Sequence, residues 1–159
     1  MELSATASES LTVPASLEEA WALVADVPRS VAHFPGLERL DQTGEADWTW
    51  TLEKLGTGKL VFQTCYTCRY ALDPAARTVR WTAVGASGDN ARVEGMWRLE
   101  AAGSGARLQL VNQLTMDIDL PRVLRRPATA LLTRENERLI RTYVANLRTT
   151  LSGGDGRVR

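Results

Sequence analysis

The chain has 159 residues, of which 44% are hydrophobic and 24% charged, and its 19 basic and 19 acidic side chains give a net charge of zero. This length and composition are typical of a single soluble globular domain. No segment approaches the about 20 apolar residues of a membrane-spanning helix, and no basic segment followed by an apolar run marks a secretory signal. The balanced charge and a pI near 6.6 disfavour nucleic-acid binding, so we expect a cytoplasmic protein without a nucleic-acid partner.

The N-terminal part of the chain predicts a strand followed by two short helices. Residues 3–13 place apolar side chains at intervals among Ser and Thr, which is typical of a strand. Ser16 and Glu19 then form a capping box, in which each side chain can satisfy a free backbone N–H at the start of a helix over 16–26. A proline at the start and Pro35-Gly36 at the end bound the second short helix.

Six further segments predict strands because apolar and polar residues alternate along them and turn residues separate them. They span residues 37–42, 48–55, 59–72, 78–84, 91–101 and 107–120. The turns are short, and strands joined by short turns must pair antiparallel, because parallel neighbours need a crossover of about a dozen residues or more. The order of one strand, two helices, six strands and one long helix therefore predicts an α+β domain.

The last long segment predicts a helix over 128–151. Its apolar side chains recur at three- and four-residue steps on one side, and its arginines lie on the other. A short helical turn precedes it at residues 123–124. A helix that follows a meander of strands can bury its apolar side across the concave face of the sheet, with a cavity between them. We expect residues 1–151 to form one domain and residues 152–159 to be a disordered tail.

Three stretches of the chain carry a family resemblance. Residues 13–26 read VPASLEEAWALVAD, residues 34–37 read FPGL, and residues 95–99 read GMWRL. Their order and spacing resemble the START-like (SRPBCC) superfamily, which includes polyketide cyclases, pollen-allergen relatives, lipid-transfer domains and ubiquinone-binding chaperones. The resemblance covers nearly the whole chain and implies the helix-grip fold. In that fold a curved antiparallel sheet of about seven strands wraps round a long C-terminal helix, two short helices follow strand 1, and an apolar cavity lies inside.

Ten side chains are candidate contacts for a ligand in that cavity. They are Trp50, Phe62, Tyr66, Trp81, Trp97, Asn112, Met116, Leu132, Asn136 and Ile140. The apolar and aromatic members are equally explained by core packing. Asn112 and Asn136 each interrupt an apolar face, and a buried amide without partners costs about 1–3 kcal/mol. Each amide therefore either bonds to the backbone or a trapped water, or orients the polar end of a ligand.

The sequence predicts no catalytic set, no metal site and no cofactor. Cys65 and Cys68 lie three residues apart on a predicted strand, where their side chains point to opposite faces and are unsuited to a shared metal or a disulfide. His33 is the only histidine of the chain, and we expect it at the mouth of the cavity. A general base and a group that orients it are needed for acid–base catalysis, and the sequence does not provide such a pair.

Three functions follow from these observations. The first is binding or carriage of a hydrophobic or amphipathic small molecule, such as a lipid, an isoprenoid or quinone, or a polyketide-like ring system. The second is a cyclase or dehydratase on a similar ligand, with Tyr66 or His33 as its acid–base group. In either case, ligand entry would need movement of the second helix, of the loop over 85–90 or of the start of the long helix.

The third function is interaction through the basic C-terminal helix. From Arg122 onward the chain has nine arginines and three acidic residues. This surface is either a solvated helix face or a docking surface for a membrane or an acidic protein. In the second case, Arg134, Arg138 and Arg141 would make the contact.

Overall fold

The computed structural model describes residues 1–57 and 60–153, and its main feature is a seven-stranded antiparallel sheet in the order β1-β9-β8-β7-β6-β3-β2. The strands are β1 (Glu2–Val13), β2 (Leu37–Gln42), β3 (Asp47–Leu52), β6 (Cys65–Asp73), β7 (Thr78–Ala83), β8 (Ala91–Ala102) and β9 (Gly105–Asp117), and β4 (Leu55–Thr57) pairs with β5 (Leu60–Phe62) in a separate hairpin. The helices are α1 (Leu17–Val24), α2 (Val27–Val31) and α3 (Arg125–Leu151), with a 3₁₀ turn at Arg122–Leu124. This is the predicted helix-grip fold.

Two predicted strands, 48–55 and 59–72, are each broken in the structure. Strand β3 ends at Leu52. The Leu52 N–H donates a hydrogen bond to the Thr64 carbonyl at 2.9 Å, and the Leu52 carbonyl accepts one from the Gln63 side chain at 2.9 Å. The Glu53 N–H turns to the Gly36 carbonyl at 2.7 Å. Beyond these bonds the chain leaves the main sheet as the separate β4–β5 hairpin. Part of the predicted turn and the first residue of the predicted long strand lie outside the described residues.

Short polar side chains start the two short helices, as the sequence predicts for α1. The Ser16 hydroxyl accepts a hydrogen bond from the Glu19 N–H at 3.2 Å. The Asp26 carboxylate does the same for the Arg29 N–H at 3.2 Å, at the start of α2. Both helices bury their apolar side against the sheet, so α1 and α2 close one end of the fold.

The long helix α3 begins at Arg125, three residues before the predicted start. Pro127 lies in its first turn, where backbone N–H groups have no partner within the helix, so a proline there costs no hydrogen bond. The second half of α3 is buried against the sheet, with Leu147 fully enclosed. The start of the helix is more open: Leu131, which is not on the predicted apolar side, is 67% exposed, and Leu132, which is, packs half-buried against the core. The predicted apolar side therefore faces the core, and its burial is deepest in the second half of the helix.

Among the described residues, no helix combines the length and the apolar character that crossing a bilayer requires. The predicted tail begins directly after α3, and positions 154–159 of it lie outside the described residues.

Candidate functional site

A cavity of about 70 Å³ lies between α2, the middle of α3 and the inner face of the sheet. Seven of the ten predicted ligand contacts line it, namely Trp50, Tyr66, Trp81, Trp97, Asn112, Asn136 and Ile140. They come from five strands and one helix, and the fold brings them together because each lies on an inward-facing position of its element. A ligand contact by any of them remains a prediction.

The other three predicted contacts lie away from the cavity. Met116 is 2% exposed and belongs to the core near the end of β9, where it pairs with Leu3 and Ala91. Phe62 lies on the β4–β5 hairpin, and Leu132 lies in the first half of α3. Both are half-buried and pack against the core from outside the cavity. Alternation along a strand gave the correct face for Met116, but it does not give the position of the cavity along that face.

Aromatic rings occupy much of the space around the cavity. Trp50 stacks on Tyr66 with 5.5 Å between ring centroids, and the Phe34 ring meets Trp50 edge-on at 5.3 Å. Phe34 also contacts Tyr143 at 5.6 Å, and Tyr143 contacts Trp97 at 6.0 Å. A pocket for a drug-sized ligand measures about 300–1,000 Å³, so a multi-ring ligand fits only if some of these rings move.

Phe34 lies at the rim of the cavity. It is half-buried, and it belongs to the turn after α2 that continues through Gly36, a glycine with φ of 72°. A Cβ at Gly36 would lie 3.6 Å from Leu139 of α3, another half-buried lining residue. The α2–β2 turn therefore faces α3 across the rim of the cavity. Phe34 belongs to the FPGL stretch that carries the family resemblance, but the sequence did not predict that its ring lines the cavity.

Gly95 of β8 has no side chain, and this determines how one wall of the cavity packs. Gly95 lies directly opposite Trp81 of β7 and opposite Asn112 of β9. A Cβ at Gly95 would lie 2.3 Å from the Val111 carbonyl oxygen and 2.6 Å from the Trp81 ring. Because position 95 has no side chain, the indole of Trp81 crosses β8, and its Nε1–H donates to Asn112 Oδ1 at 3.0 Å.

Two polar nitrogens at the cavity have no partner in the described part of the chain. They are Nε1 of Trp50 and Nδ2 of Asn136, and both residues are more than nine-tenths buried. The Trp50 N–H lies close enough to the Tyr70 hydroxyl to offset part of the rise that burial causes in the pKa of Tyr70, but the two groups do not have the geometry of a hydrogen bond. The β3–α3 wall therefore presents unsatisfied polar groups to an apolar space.

The cavity is electrically neutral. None of the described residues that line it is Asp, Glu, Lys, Arg or His. Burial raises the pKa of Tyr66, Tyr70 and Tyr143 above the ordinary value, and it raises the pKa of the Cys68 thiol to about 12. The Tyr143 hydroxyl also bonds to the Ser30 hydroxyl. All of these groups are therefore protonated and uncharged at neutral pH.

His33 is not at the cavity mouth, so its predicted position is wrong. Its Nδ1 lies 2.8 Å from the Arg29 carbonyl oxygen, and its Nε2 lies 2.8 Å from the Thr150 hydroxyl. Asn146 donates to the His33 carbonyl oxygen at 2.9 Å. The imidazole thus links the end of α2 to the last turns of α3. We expected His33 at the cavity mouth because it is next to Phe34 in the sequence. Consecutive side chains at a helix end point in different directions, so the two residues do not share a position at the cavity.

The loop over 85–90 is held to the sheet by two side chains, which makes it unsuited to act as the gate. The Asp89 carboxylate accepts hydrogen bonds from the Thr67 N–H at 2.9 Å and the Thr67 hydroxyl at 3.0 Å. The Asn90 side chain accepts from the Cys65 N–H at 2.9 Å and donates to the Gln63 carbonyl at 2.7 Å. Opening this loop would break all four bonds.

The predicted docking arginines are exposed on α3. Arg138 pairs with Glu135 through two contacts of 2.5 and 3.0 Å, so its charge is partly compensated. Arg134 and Arg141 make no ion pair with a described residue. In the part of the chain that the structure describes, no group of three or more His, Cys, Asp and Glu side chains could hold a metal ion.

The sequence matches the family model described as polyketide cyclase / dehydrase and lipid transport over residues 4–152. The chain belongs to this family. The resemblance to polyketide cyclases and lipid-transfer domains is thereby confirmed, and the family is consistent with a role in hydrophobic ligand binding. No curated protein matches the chain.

Solved structures share the fold of this family member at low sequence identity. A START superfamily protein from Mycobacterium smegmatis is 12% identical, with a TM-score of 0.68 over 92% of this chain and 96% of that chain. TTHA0849 from Thermus thermophilus is 19% identical, with a TM-score of 0.61 over 92% and 98%. The Zhui aromatase/cyclase from Streptomyces sp. R1128 is 21% identical, with a TM-score of 0.58 over 98% and 96%. At these identities the likeness concerns the fold alone.

Proposed function

We propose that the protein binds a hydrophobic small molecule in the cavity between α3 and the sheet and acts as its carrier. The observation that carries this proposal is the lining, which is apolar and aromatic and has no charged side chain among the described residues. Burial of apolar ligand surface is favourable by about 25 cal/mol per Å², so such a wall removes a ligand from water without further chemistry. A family of cyclases and lipid-transport proteins is consistent with this role.

Binding requires the cavity to open. In its present form the space of about 70 Å³ suits a few waters, at about 10–15 Å³ each, or a small organic group. The half-buried side chains of Phe34, Leu52 and Leu139 at the rim are apolar, so they can turn without breaking a side-chain hydrogen bond. We place the entrance there, because the loop over 85–90 is fixed by four hydrogen bonds.

The lining favours carriage over catalysis. An acid–base enzyme needs a group that changes protonation near its working pH. Burial raises the pKa of Tyr66, and His33 is bonded to Arg29 and Thr150 outside the cavity. Tyr66 can still donate a hydrogen bond in its neutral form. A cyclase that used it would therefore lose turnover on Tyr66→Phe, whereas a carrier would retain most of its binding.

Binding of the neutral dye N-phenyl-1-naphthylamine, which fluoresces in apolar sites, tests the carrier. We expect saturable binding to the wild-type protein. Leu139→Trp adds bulk at the rim and should weaken the binding about 10-fold. Leu131→Trp, on the exposed side of the same helix, is the matched control and should leave binding unchanged. No saturable binding by the folded wild-type protein would contradict the proposal.

A second candidate function is delivery at an anionic bilayer. Val123, Leu124 and Leu131 are 84, 44 and 67% exposed, and they lie in the 3₁₀ turn and the first turns of α3, as several arginines do. Arg122, Arg125 and Arg126 make no ion pair with a described residue. Apolar side chains next to free arginines are suited to a negatively charged headgroup layer, where each arginine adds about 1 kcal/mol.

Sedimentation with vesicles tests this candidate. We expect binding to phosphatidylglycerol vesicles that is stronger than to phosphatidylcholine vesicles and that falls as salt rises. Val123→Ser and Arg125→Glu should each reduce it. Val111→Ser, which removes an exposed valine from the sheet, is the control. Equal sedimentation with both vesicle types would leave the arginines as a solvated helix face.

A further inference from the structure

An open groove of about 640 Å³ lies where β1 begins and where β9 leads into α3, outside the cavity between α3 and the sheet. The residues that line it are Met1, Glu2, Leu120, Arg122 and Arg125. None of these five lines the cavity. The groove is therefore a second concave space with its own side chains, and its lining, unlike that of the cavity, is charged.

The backbone holds the two arginines of the groove one above the other. The Arg125 N–H donates to the Arg122 carbonyl and closes a 3₁₀ turn, in which side chains three residues apart eclipse each other. Both side chains are exposed, and neither makes an ion pair with a described residue. The groove thus has two guanidinium groups that start from neighbouring positions on one side of the turn.

Two carboxylates at this end of the molecule are bonded to other cations. Glu2 pairs with Arg92 of β8 at 2.9 Å. Asp117 accepts from the Met1 amino group at 2.8 Å, and this contact holds the pKa of the Asp117 carboxyl below its ordinary value, so the carboxylate stays charged and keeps its partner. Asp119 is exposed and is not part of the groove lining. The groove therefore has an excess of positive charge, which suits an anion.

Two arginines suit a phosphate monoester better than a carboxylate. One arginine fork takes up two oxygens, so a single fork is enough for a carboxylate, which has two oxygens and one charge. A phosphate monoester has three terminal oxygens and a charge of about −1.5 to −2 at neutral pH, so it can accept from two forks at once. Met1 and Leu120 add apolar surface to the same groove, which an alkyl or aryl group of the ester would cover.

We propose that this groove binds a phosphate monoester with an apolar substituent, in which Arg122 and Arg125 hold the phosphate and the apolar side chains of the groove contact the substituent. The site is independent of the carrier function, because it shares no residue with the cavity. It shares its arginines with the candidate delivery at an anionic bilayer, and it adds selectivity for one kind of headgroup. The ester is either the headgroup of a lipid, as in phosphatidic acid, or a soluble compound, and vesicles distinguish these two sources.

Titration of the full-length protein with phenyl phosphate, followed through the arginine Nε–H signals in NMR spectra, tests the site. Benzenesulfonate is the matched ligand, because it has the same ring and three oxygens but a single negative charge. We expect phenyl phosphate to bind about 3- to 5-fold more tightly, since the second charge meets a second arginine and exposed ion pairs are weak. Neither compound should displace N-phenyl-1-naphthylamine, because the neutral cavity does not suit an anion.

Variants distinguish a site from the general attraction of a basic helix. Arg122→Gln and Arg125→Gln each remove one fork, and each should weaken phenyl phosphate binding about 5-fold. Arg134→Gln is the matched control, because Arg134 is also exposed on α3, makes no ion pair with a described residue and carries the same charge. It lies about 14 Å along the helix from Arg125, beyond the Debye length of about 8 Å at physiological salt, so its loss should leave the affinity unchanged.

Sedimentation with vesicles identifies the source of the ester. Phosphatidylcholine vesicles contain either phosphatidic acid, which is a monoester, or phosphatidylglycerol, which is a diester, in amounts that give equal surface potential. Stronger sedimentation with phosphatidic acid that Arg122→Gln reduces and Arg134→Gln does not supports the site with a lipid ligand. Equal sedimentation with both vesicle types, together with binding of phenyl phosphate, supports the site with a soluble ligand.

Several results would overturn the inference. Equal affinities for phenyl phosphate and benzenesulfonate, or equal weakening by Arg134→Gln and by the two groove variants, would show only a general attraction of anions. Displacement of the dye by phenyl phosphate would place the anion in the cavity. Absence of both phenyl phosphate binding and a preference for phosphatidic acid would leave the groove without a ligand of this class. Each of these results leaves the carrier function in place, because dye binding tests it separately.

Discussion

Two walls of the cavity carry similar buried polar groups but differ in whether those groups are hydrogen-bonded. On the β7–β9 wall, Asn112 and the Trp81 indole satisfy each other through a 3.0 Å hydrogen bond. On the β3–α3 wall, Asn136 and the Trp50 indole each keep a nitrogen without a partner among the residues that the structure describes. Both walls have an asparagine and a tryptophan in nearly equal burial. A buried amide is therefore structural where the sheet register supplies its partner and available for a ligand where it does not.

The largest expected effect on stability is at Gly95, because the absence of a side chain there allows the Trp81–Asn112 hydrogen bond of the β7–β9 wall. In Gly95→Ala the new Cβ would overlap the Val111 carbonyl and the Trp81 ring, so the strand must shift. We expect the free energy of unfolding to fall by about 3 kcal/mol, at the upper end of the cost of overpacking. Urea unfolding measures it. A companion Trp81→Ala change should not restore stability, because the backbone overlap with Val111 would remain; full restoration would show that only the indole matters.

The second largest effect is expected at Asn112, the asparagine of the β7–β9 wall, whose amide is hydrogen-bonded to Trp81. Asn112→Leu leaves the Trp81 N–H buried without an acceptor, so we expect a loss of about 1–3 kcal/mol in urea unfolding. Adding Trp81→Phe removes the stranded donor and should recover part of that loss. Additive losses in the double variant would mean that the Trp81–Asn112 bond does not contribute to stability.

A smaller effect concerns Cys68, whose thiol bonds to the Val93 carbonyl at 3.3 Å. Burial raises the pKa of Cys68 from 9.0 to about 12 in the folded protein. Above pH 9 the unfolded chain loses the thiol proton while the folded chain keeps it, so stability is fully present below pH 9 and falls as the pH rises toward 12. At pH 9.5 the loss is on the order of 1 kcal/mol.

Urea unfolding between pH 8 and 9.5 measures this loss, because the buried tyrosines, whose pKa is also raised, add to the pH dependence only near and above pH 10. Cys68→Ala should reduce the pH dependence in this range, whatever its own cost to packing, and the half-buried Cys65→Ala is the matched control. An identical slope in the wild type and in Cys68→Ala would contradict the expected role of the thiol.

The smallest change in the free energy of unfolding is expected at Asn136 of the β3–α3 wall, and its sign is opposite to that of the change at Asn112. Asn136→Leu removes a buried amide that has an unbonded nitrogen, so we expect the free energy of unfolding to stay the same or to rise by up to about 1 kcal/mol. Thermal and urea unfolding give the sign. A loss comparable to that of Asn112→Leu would show that the amide has a partner in solution, such as a bound water.

Much of the fold could be predicted from short stretches of the sequence. The Ser16 cap, the alternation along the strands and the apolar side of α3 over 140–151 each depend on neighbours a few residues away, and the structure has them as predicted. Errors occurred where distant backbone groups decide the outcome. The pairing of the main sheet ends beyond the Leu52–Thr64 backbone bond, and α3 can start at Arg125 because Pro127 costs no hydrogen bond in a first turn.

For the site, the sequence determined which side chains are candidates, and the tertiary structure decided what each one does. Asn112 and Asn136 were both recognisable as polar interruptions of apolar faces. Only the register Trp81–Gly95–Asn112 across three strands gives Asn112 its partner, and only the placement of α3 leaves Asn136 without one. The physical reason is range: periodicity and capping depend on contacts within a few residues, whereas the satisfaction of a buried hydrogen bond depends on groups that the chain brings together from far apart.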